Sequence, residues 1–143
     1  MGFGSTSGEP QIVERTFEFG QRVRRLCRFL AEQKSGEGDL ANQLKRSGSA
    51  IGALVEEGQG GESKKDFLHK MNLAYKEARE AFYWLRQLAG TGAVDPKRIA
   101  GLTDEARQLK LILAKIVSTT RKSIEASEES EEPVSEETST DDE

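Results

Sequence analysis

Five arginines near the start of the chain are the residues best suited to chemistry, because guanidinium groups bind the phosphate oxygens of nucleic acids. Most of them lie in the segment RVRRLCR, residues 22–28. Three fall opposite the apolar positions Val23, Leu26 and Leu30 of the same helical repeat. The predicted nucleic-acid-binding set near the start of the chain is Arg15, Arg22, Arg24, Arg25 and Arg28. The alternative interpretation is a hydrated helix face without a ligand.

A second basic row lies further along the chain. Lys65, Asn72, Arg79 and Arg86 recur every seven residues, which places them on one face of a helix. Lys65, Arg79 and Arg86 therefore join the predicted nucleic-acid-binding residues. In a ring of several copies such a row repeats into a band of positive charge, so the field of the assembly exceeds that of one chain.

Residues that commonly carry catalysis or hold metals are sparse. Cys27 is the only cysteine and His69 the only histidine, which argues against a Cys/His zinc site. The glutamates considered for a ferritin-type metal site are Glu56, Glu57, Glu77 and Glu80. Such a site needs Glu-x-x-His motifs on facing helices, and these glutamates are not part of one. Cys27 stands beside an apolar stripe, where a small buried hydrophobe is its expected role. We predict no catalytic residue, no metal and no cofactor.

The chain divides by charge into a basic body and an acidic end. Residues 127–143 carry nine of the 25 acidic residues and no Lys or Arg, whereas residues 1–126 hold all 21 Lys and Arg against 16 acidic residues, a net charge of +5. A polar, highly charged segment has too little apolar surface to form a core. We therefore predict a disordered acidic tail at residues 127–143 and a disordered Gly- and Ser-rich lead at residues 1–13.

Four amphipathic segments lie between these ends, each with apolar residues at intervals of three and four. The pattern predicts helices at about residues 14–34, from 39 to the GQGG segment, at 63–89 and at 96–124. No run alternates strictly as a strand does. The fold predicted for residues 14–126 is all-α, an up-down-up-down antiparallel left-handed four-helix bundle.

Residues at the predicted helix starts support these boundaries. Asp39, Ser63 and Asp95 are of the types that accept hydrogen bonds from the first backbone N–H groups of a helix. Pro96 follows Asp95, and proline suits the first helical position because its missing N–H has no partner there. These residues predict where the second, third and fourth helices begin.

The segment RSGSAIGALVEEGQGG, residues 46–61, contains five glycines and admits three interpretations. A phosphate-binding P-loop needs a strand before it and a Lys with Ser or Thr after its last glycine, and both are absent. Gly48 and Gly52 form G-x-x-x-G, but charged residues flank the pair, unlike the membrane motif. We interpret the segment as a helix that a neighbour approaches closely, with small residues of the third helix as its partner. The predicted close-packing residues are Gly48, Gly52, Ala74, Ala78 and Ala81.

Apolar side chains outside the core stripes indicate self-association. Tyr83 and Trp84 lie off the stripe of the third helix, and Leu111 and Ile112 lie outside the main row of the fourth. A helix that is apolar on nearly all sides is buried on more than one side, and aromatic residues are enriched in subunit interfaces. We predict that these four residues contribute to a homo-oligomer interface.

The central third of the chain, LANQLKRSGSAIGALVEEGQGGESKKDFLHKMNLAYKEAREAFYWLRQL, resembles the four-helix bundle proteins encoded by intervening sequences in bacterial 23S ribosomal RNA genes. The specific elements are QLKRSG, IGA, ESKKDFLHK, KEARE and YWLR. Members commonly carry SIGAN where this chain has AIGAL, so Ala50 and Leu54 replace a serine and an asparagine of the pattern. Any polar role at these two positions is therefore removed.

This resemblance implies a small bacterial bundle, often pentameric, whose cellular role is unsettled. Related bundles are accessory proteins of diversity-generating retroelements, similar pentamers that bind a reverse transcriptase and nucleic acid. The functional hypothesis is a non-catalytic homopentameric scaffold that binds RNA or DNA through arginine-rich faces. The alternative is a protein-binding adaptor, for example to a reverse transcriptase, without affinity for nucleic acid. The apolar runs are too short to span a membrane and no signal peptide is evident, so we expect a cytoplasmic protein with no membrane partner.

Overall fold

The structure is a computed structural model that describes residues 11–131, and every regular element in that range is an α-helix. Helix α1 spans Ile12–Glu32, α2 spans Gly38–Gln59, α3 spans Lys64–Thr91 and α4 spans Pro96–Glu131. Three short connections join them. The all-α class predicted from the sequence is confirmed.

Neighbouring helices run antiparallel. Thr16 near the start of α1 faces Gly52 near the end of α2, whereas Cys27 near the end of α1 contacts Ala41 near the start of α2. Helices α2 and α3 are antiparallel because Glu57 contacts Lys70 and Arg46 contacts Glu80. Helices α3 and α4 are antiparallel because Lys64 contacts Ser123 and Phe82 contacts Lys110. Helices α1 and α4 are antiparallel because Arg15 contacts Glu105 and Phe29 contacts Arg98. Since α4 also packs against α1, these contacts correspond to an up-down-up-down bundle. The left-handed sense of the crossings stays a prediction.

Two helix starts use the residues predicted for them. The hydroxyl of Ser63 accepts a hydrogen bond of 3.1 Å from the backbone N–H of Asp66 at the start of α3. At the start of α4, Asp95 Oδ1 accepts a hydrogen bond of 3.0 Å from the backbone N–H of Lys97, and Pro96 is the first helical residue. Each bond satisfies an N–H group that has no partner within the helix.

The N-cap of α2 lies two residues before the predicted one. The helix begins at Gly38, with Glu37 at the capping position and no side-chain cap. Asp39, the predicted cap, lies within the first turn and accepts a hydrogen bond of 2.8 Å from the N–H of Leu40. Its carboxylate still lies where the positive end of the helix dipole favours a negative charge.

The core consists of the apolar stripes of all four helices. Phe19, Leu44, Leu85 and Leu109 are fully buried, one from each helix. Ala74, Ala78 and Ala81 are also fully buried, so α3 presents a row of small side chains to the interior. Burial of these stripes supplies the main driving force for the bundle, about 25 cal/mol for each Å² of apolar surface removed from water.

Gly48 and Gly52 pack against α1, whereas the sequence pattern had suggested α3 as their neighbour. A Cβ atom on Gly48 would lie 2.9 Å from Val23 Cγ2, and one on Gly52 would lie 3.1 Å from the carbonyl oxygen of Thr16. Gly20 of α1 faces the same seam, since its Cβ would lie 3.5 Å from the carbonyl oxygen of Gly48. The period of the sequence places these glycines on one side of α2, but α2 has a neighbour on each side and the period does not choose between them.

The helical ends extend beyond the boundaries predicted for the bundle at both termini. Helix α1 begins two residues before residue 14, and α4 continues to Glu131, so residues 127–131 of the predicted disordered tail are helical. Most of the predicted lead, residues 1–10, and the rest of the tail, residues 132–143, lie outside the described residues.

Candidate nucleic-acid interface

The three arginines in the second half of α1 project outward. Arg24, Arg25 and Arg28 are exposed, as the position of the apolar stripe predicts. Arg25 Nη2 lies 3.9 Å from Glu18 Oε2, with both side chains more than half exposed. An ion pair of that length on the surface contributes little free energy, so it does not prevent Arg25 from binding a phosphate.

Arg15 occupies a different environment from these three. Its guanidinium donates to both carboxylate oxygens of Glu105, at 2.9 and 2.7 Å, and to Gln108 Oε1 at 3.0 Å. The side chains of Arg15 and Glu105 are only 22% and 19% exposed. The sequence pattern gave Arg15 a role on the phosphate-binding face, but the structure places it between α1 and α4 with its charge already matched.

Arg22 also leans toward α4. Its Nη2 lies 3.6 Å from the position that a Cβ on Gly101 would take, and the residue is half-buried. Arg22 and Arg15 therefore belong to the α1–α4 seam, and the structure does not bring them together with Arg24, Arg25 and Arg28.

A cleft lies where α1 and α2 meet at their shared end, and we call it the hairpin cleft. It has a volume of about 430 Å³ and is lined by four basic side chains, Arg24, Arg28, Lys34 and Lys45. Its other lining residues are Cys27, Leu30, Ala31, Ser35, Gly36, Gly38, Ala41 and Asn42. Among residues 11–131, no carboxylate lines this cleft, so its charged side chains favour anions. Lys34 and Lys45 were not selected from the sequence, because only the α1–α2 turn brings them beside Arg28.

Cys27 forms part of the wall of the hairpin cleft. The residue is 8% exposed, and its thiol donates to the carbonyl oxygen of Ala41 at 3.3 Å. Burial raises the pKa of the Cys27 thiol, although the nearby charges of Lys45 and Arg24 oppose that rise. A protonated, buried thiol is a poor nucleophile, which agrees with the packing role predicted for this cysteine.

Two further depressions follow α1 toward its start. A shallow hollow of about 200 Å³ is lined by Gln21, Arg24, Arg25 and Arg28. Beyond it lies what we call the apolar groove, a depression of about 430 Å³ between α1 and α2 whose lining includes Val13, Phe17, Gly20, Arg24, Gly52, Ala53 and Glu56. Its other lining residues are Thr16, Gln21 and Ser49, and most of its exposed lining surface is apolar.

The predicted basic row of α3 is exposed but follows a separate face of the bundle. Arg79 lies 5.7 Å from the ring centre of Tyr75, and Arg86 lies 5.3 Å from that of Phe82. Lys65 Nζ forms an ion pair of 3.2 Å with Glu128 Oε2 of α4. The α3 row is thus partly engaged by aromatic rings and by the first residues of the acidic segment.

The four predicted interface residues differ in exposure. Tyr83 and Leu111 are 47% and 53% exposed on the outer faces of α3 and α4, and Ile112 is half-buried. Trp84 packs partly against the core and donates to Glu80 Oε2 at 3.2 Å. Phe17 on α1 is 64% exposed and was not predicted as a functional residue, although Glu14 and Glu18 nearby indicate a hydrated part of the helix.

Three of the four glutamates considered for a metal site, Glu57, Glu77 and Glu80, form contacts between α2 and α3. Arg46 of α2 donates to Glu80 at 2.6 Å and to Glu77 at 3.4 Å. The hydrogen bond from Arg46 holds the pKa of the Glu80 carboxyl below its usual value. Within residues 11–131, His, Cys, Asp and Glu side chains form no group of three placed to hold a metal ion. No helix in the same range is both long and apolar enough to cross a membrane.

The fold and this surface define an antiparallel four-helix bundle with basic side chains concentrated where α1 meets α2. The family model described as 23S rRNA-intervening sequence protein matches residues 9–115, and the chain belongs to that family. A crystal structure of a protein of unknown function from the S23 ribosomal protein family of Bacteroides thetaiotaomicron is 30% identical, with a TM-score of 0.71. That match covers 75% of this chain and 98% of the other. A search of curated proteins found no match.

Proposed function

We propose that this protein is a non-catalytic homo-oligomeric scaffold that binds nucleic acid through the arginines of α1. The observation that carries the proposal is the hairpin cleft, where four cationic side chains line one concave surface and no carboxylate of the described residues joins them. Phosphate contacts by Lys and Arg supply most of the affinity in sequence-independent binding of nucleic acid. The proposal places the protein in the cytoplasm.

Self-association strengthens this surface. The resemblance to pentameric bundles suggests five copies, and Tyr83 and Leu111 supply exposed apolar surface for contacts between them. Repetition of a basic cleft around a ring adds the fields of the copies, so an assembly attracts a polyanion more strongly than one chain does. Light scattering at micromolar concentration is expected to give several times the chain mass of 15.8 kDa.

A salt titration tests the nucleic-acid part of the proposal. Fluorescence anisotropy of labelled RNA and DNA is measured with the full chain at increasing salt. Each phosphate contact to a single strand is expected to add about −0.7 to the slope of log K against log salt. Absence of binding at low salt, or an affinity that does not change with salt, would contradict the proposal.

The second candidate is a protein-binding adaptor, for instance an accessory factor to a reverse transcriptase. The exposed apolar side chains of Phe17, Tyr83 and Leu111 favour it, because isolated apolar side chains of this size become buried in protein interfaces. An adaptor with no affinity of its own leaves the anisotropy of labelled RNA unchanged at every salt concentration.

A further inference from the structure

We infer that the α1–α2 face is the path of a single unpaired nucleic-acid strand, with one base stacked on Phe17 and phosphates bound by Arg24 and Arg28. The inference rests on the proposed function and goes further, because it specifies the strand type, the route and the side chain that contacts a base. Single-strand sites combine a basic groove with aromatic side chains on which bases stack.

Phe17 has the position that base stacking requires. It is 64% exposed, more than any other large hydrophobic side chain of residues 11–131. The apolar groove begins beside it, where Gly20, Gly52 and Ala53 leave a depression of about 430 Å³. A planar base that stacks on the ring therefore finds room in the neighbouring groove.

Arg24 joins the depressions into one route. Its side chain lines the apolar groove, the shallow hollow and the hairpin cleft. Arg28 lines the hollow and the cleft, which continues the route to Lys45 at the far end. Phe17 and Arg28 are eleven residues apart on α1, or about 16 Å at 1.5 Å per residue, a length that suits a few nucleotides of an extended strand.

The charges along the route favour a polyanion over an apolar protein segment. Two carboxylates lie at the Phe17 end, where Glu56 lines the apolar groove and Glu18 lies near Arg25. Toward the hairpin cleft the charged lining residues within residues 11–131 are all cationic, and Arg28, Lys34 and Lys45 are among them. An apolar peptide would leave these cations without partners, whereas a strand offers one phosphate per nucleotide.

The same geometry favours a single strand over a duplex. In a duplex the bases are stacked inside and paired, so the exposed ring of Phe17 would have no base to contact. Only an unpaired strand presents its phosphates to Arg24 and Arg28 while it places a base on Phe17.

The test compares a labelled oligouridylate of about 12 nucleotides, a length within the range of known single-strand sites, with an RNA duplex of the same length. The full chain is expected to bind the single strand more tightly. Phe17→Ala is expected to weaken single-strand binding by about 5- to 100-fold, the usual cost of losing one stacked base, and to leave duplex binding nearly unchanged. Phe17→Tyr, which keeps an aromatic ring at the same position, is the matched control and is expected to change neither.

Substitution of an arginine tests whether the basic half of the route, toward the hairpin cleft, contacts phosphates. Arg28→Gln is expected to reduce the magnitude of the slope of log K against log salt for the single strand by about 0.7, the value for one phosphate contact. Arg107→Gln, on α4 and paired with Asp104, is the control and is expected to leave the slope unchanged.

The outcomes separate this inference from the proposed function. Salt-dependent binding of RNA that is equal for strand and duplex, and indifferent to Phe17→Ala and Arg28→Gln, would overturn the route and leave the proposed function standing. A fall in assembly mass caused by Phe17→Ala would show that this ring packs against another copy, which also overturns the route. A chain that binds no nucleic acid at low salt would remove both.

Discussion

Val23 of α1 lies directly over Gly48 of α2. A Cβ atom on Gly48 would come within 2.9 Å of Val23 Cγ2 and 3.1 Å of Cγ1. Valine is stiff about its χ1 angle because its Cβ carries two heavy atoms, and Val23 is completely buried. The valine therefore has no alternative position, and the contact fixes how closely α1 and α2 approach.

Substitution of Gly48 by leucine is expected to destabilise the bundle. Overpacking of a tight core costs about 1–3 kcal/mol or more, which exceeds the gain of about 1 kcal/mol from replacing glycine in a helix. Gly90→Leu is the control, because a Cβ on Gly90 of α3 would meet nothing within 4 Å. Denaturant unfolding monitored by circular dichroism measures both. Equal stability of the two variants would show that Gly48 is not a close-contact position.

The sequence predicts the helices well because each apolar stripe is a local pattern. The stripe of α3, for example, contains Met71, Ala74 and Ala78 at intervals of three and four, and all three are fully buried. Which helix lies next to Gly48 is not a local property, because it depends on how α2 is rotated between α1 and α3. Local periodicity does not specify that rotation, so Gly48 and Gly52 were assigned to the wrong neighbouring helix.

Arg15 and Glu105 are expected to stabilise the α1–α4 seam rather than bind nucleic acid. Arg15→Gln is expected to lower the free energy of unfolding by about 1 kcal/mol, because hydrogen bonds between charged groups contribute about 1.5–3 kcal/mol and partial exposure reduces that value. A double-mutant cycle with Glu105→Gln measures the coupling between the two side chains. The cycle for Arg107 and Asp104, which are both 49% exposed, is expected to give a smaller coupling. A large loss of RNA affinity in a stably folded Arg15→Gln variant would argue instead for a phosphate contact.

The candidate site was only partly visible in the sequence. Arg24, Arg25 and Arg28 stood out because one helix carries all three, and their exposed positions follow from its period. Lys45 joins them across the α1–α2 turn, and a contact between residues on different helices has no local pattern. Arg15 was assigned to the phosphate-binding face from the helical period, but its carboxylate partner Glu105 lies 90 residues away on α4 and has no local sequence pattern that links it to Arg15.

Cys27 is expected to make stability fall in alkaline solution. Burial raises the pKa of its thiol in the folded chain, so the folded chain holds this proton more tightly than the unfolded chain does. The resulting contribution is complete below the unfolded pKa of about 8.5 and is lost as pH rises toward the folded pKa. The stability advantage of the native chain over Cys27→Ala is therefore expected to shrink between pH 7 and pH 10, as measured by denaturant unfolding under reducing conditions. An advantage that stays constant over this range would exclude the effect.

The acidic C-terminal segment is expected to compete with nucleic acid for the basic body. Glu128 already pairs with Lys65 at 3.2 Å, and residues 132–143 add six further acidic residues by sequence. A tethered anionic segment has a high effective concentration near the cations of its own chain, and in an oligomer several such segments compete together.

Two truncations separate the parts of this competition. Removal of residues 132–143 leaves the Lys65–Glu128 pair in place, whereas removal of residues 127–143 also eliminates it. Both are expected to tighten RNA binding at low salt, the longer deletion more than the shorter, and both differences are expected to diminish at about 0.5 M salt, where the Debye length is ~4 Å. Full-length Glu128→Gln controls for the ion pair alone and is expected to have a small effect, since both side chains are more than half exposed. If both truncated proteins bind RNA as the full chain does, the acidic segment contributes only to solubility, the usual effect of added Asp and Glu at a protein surface.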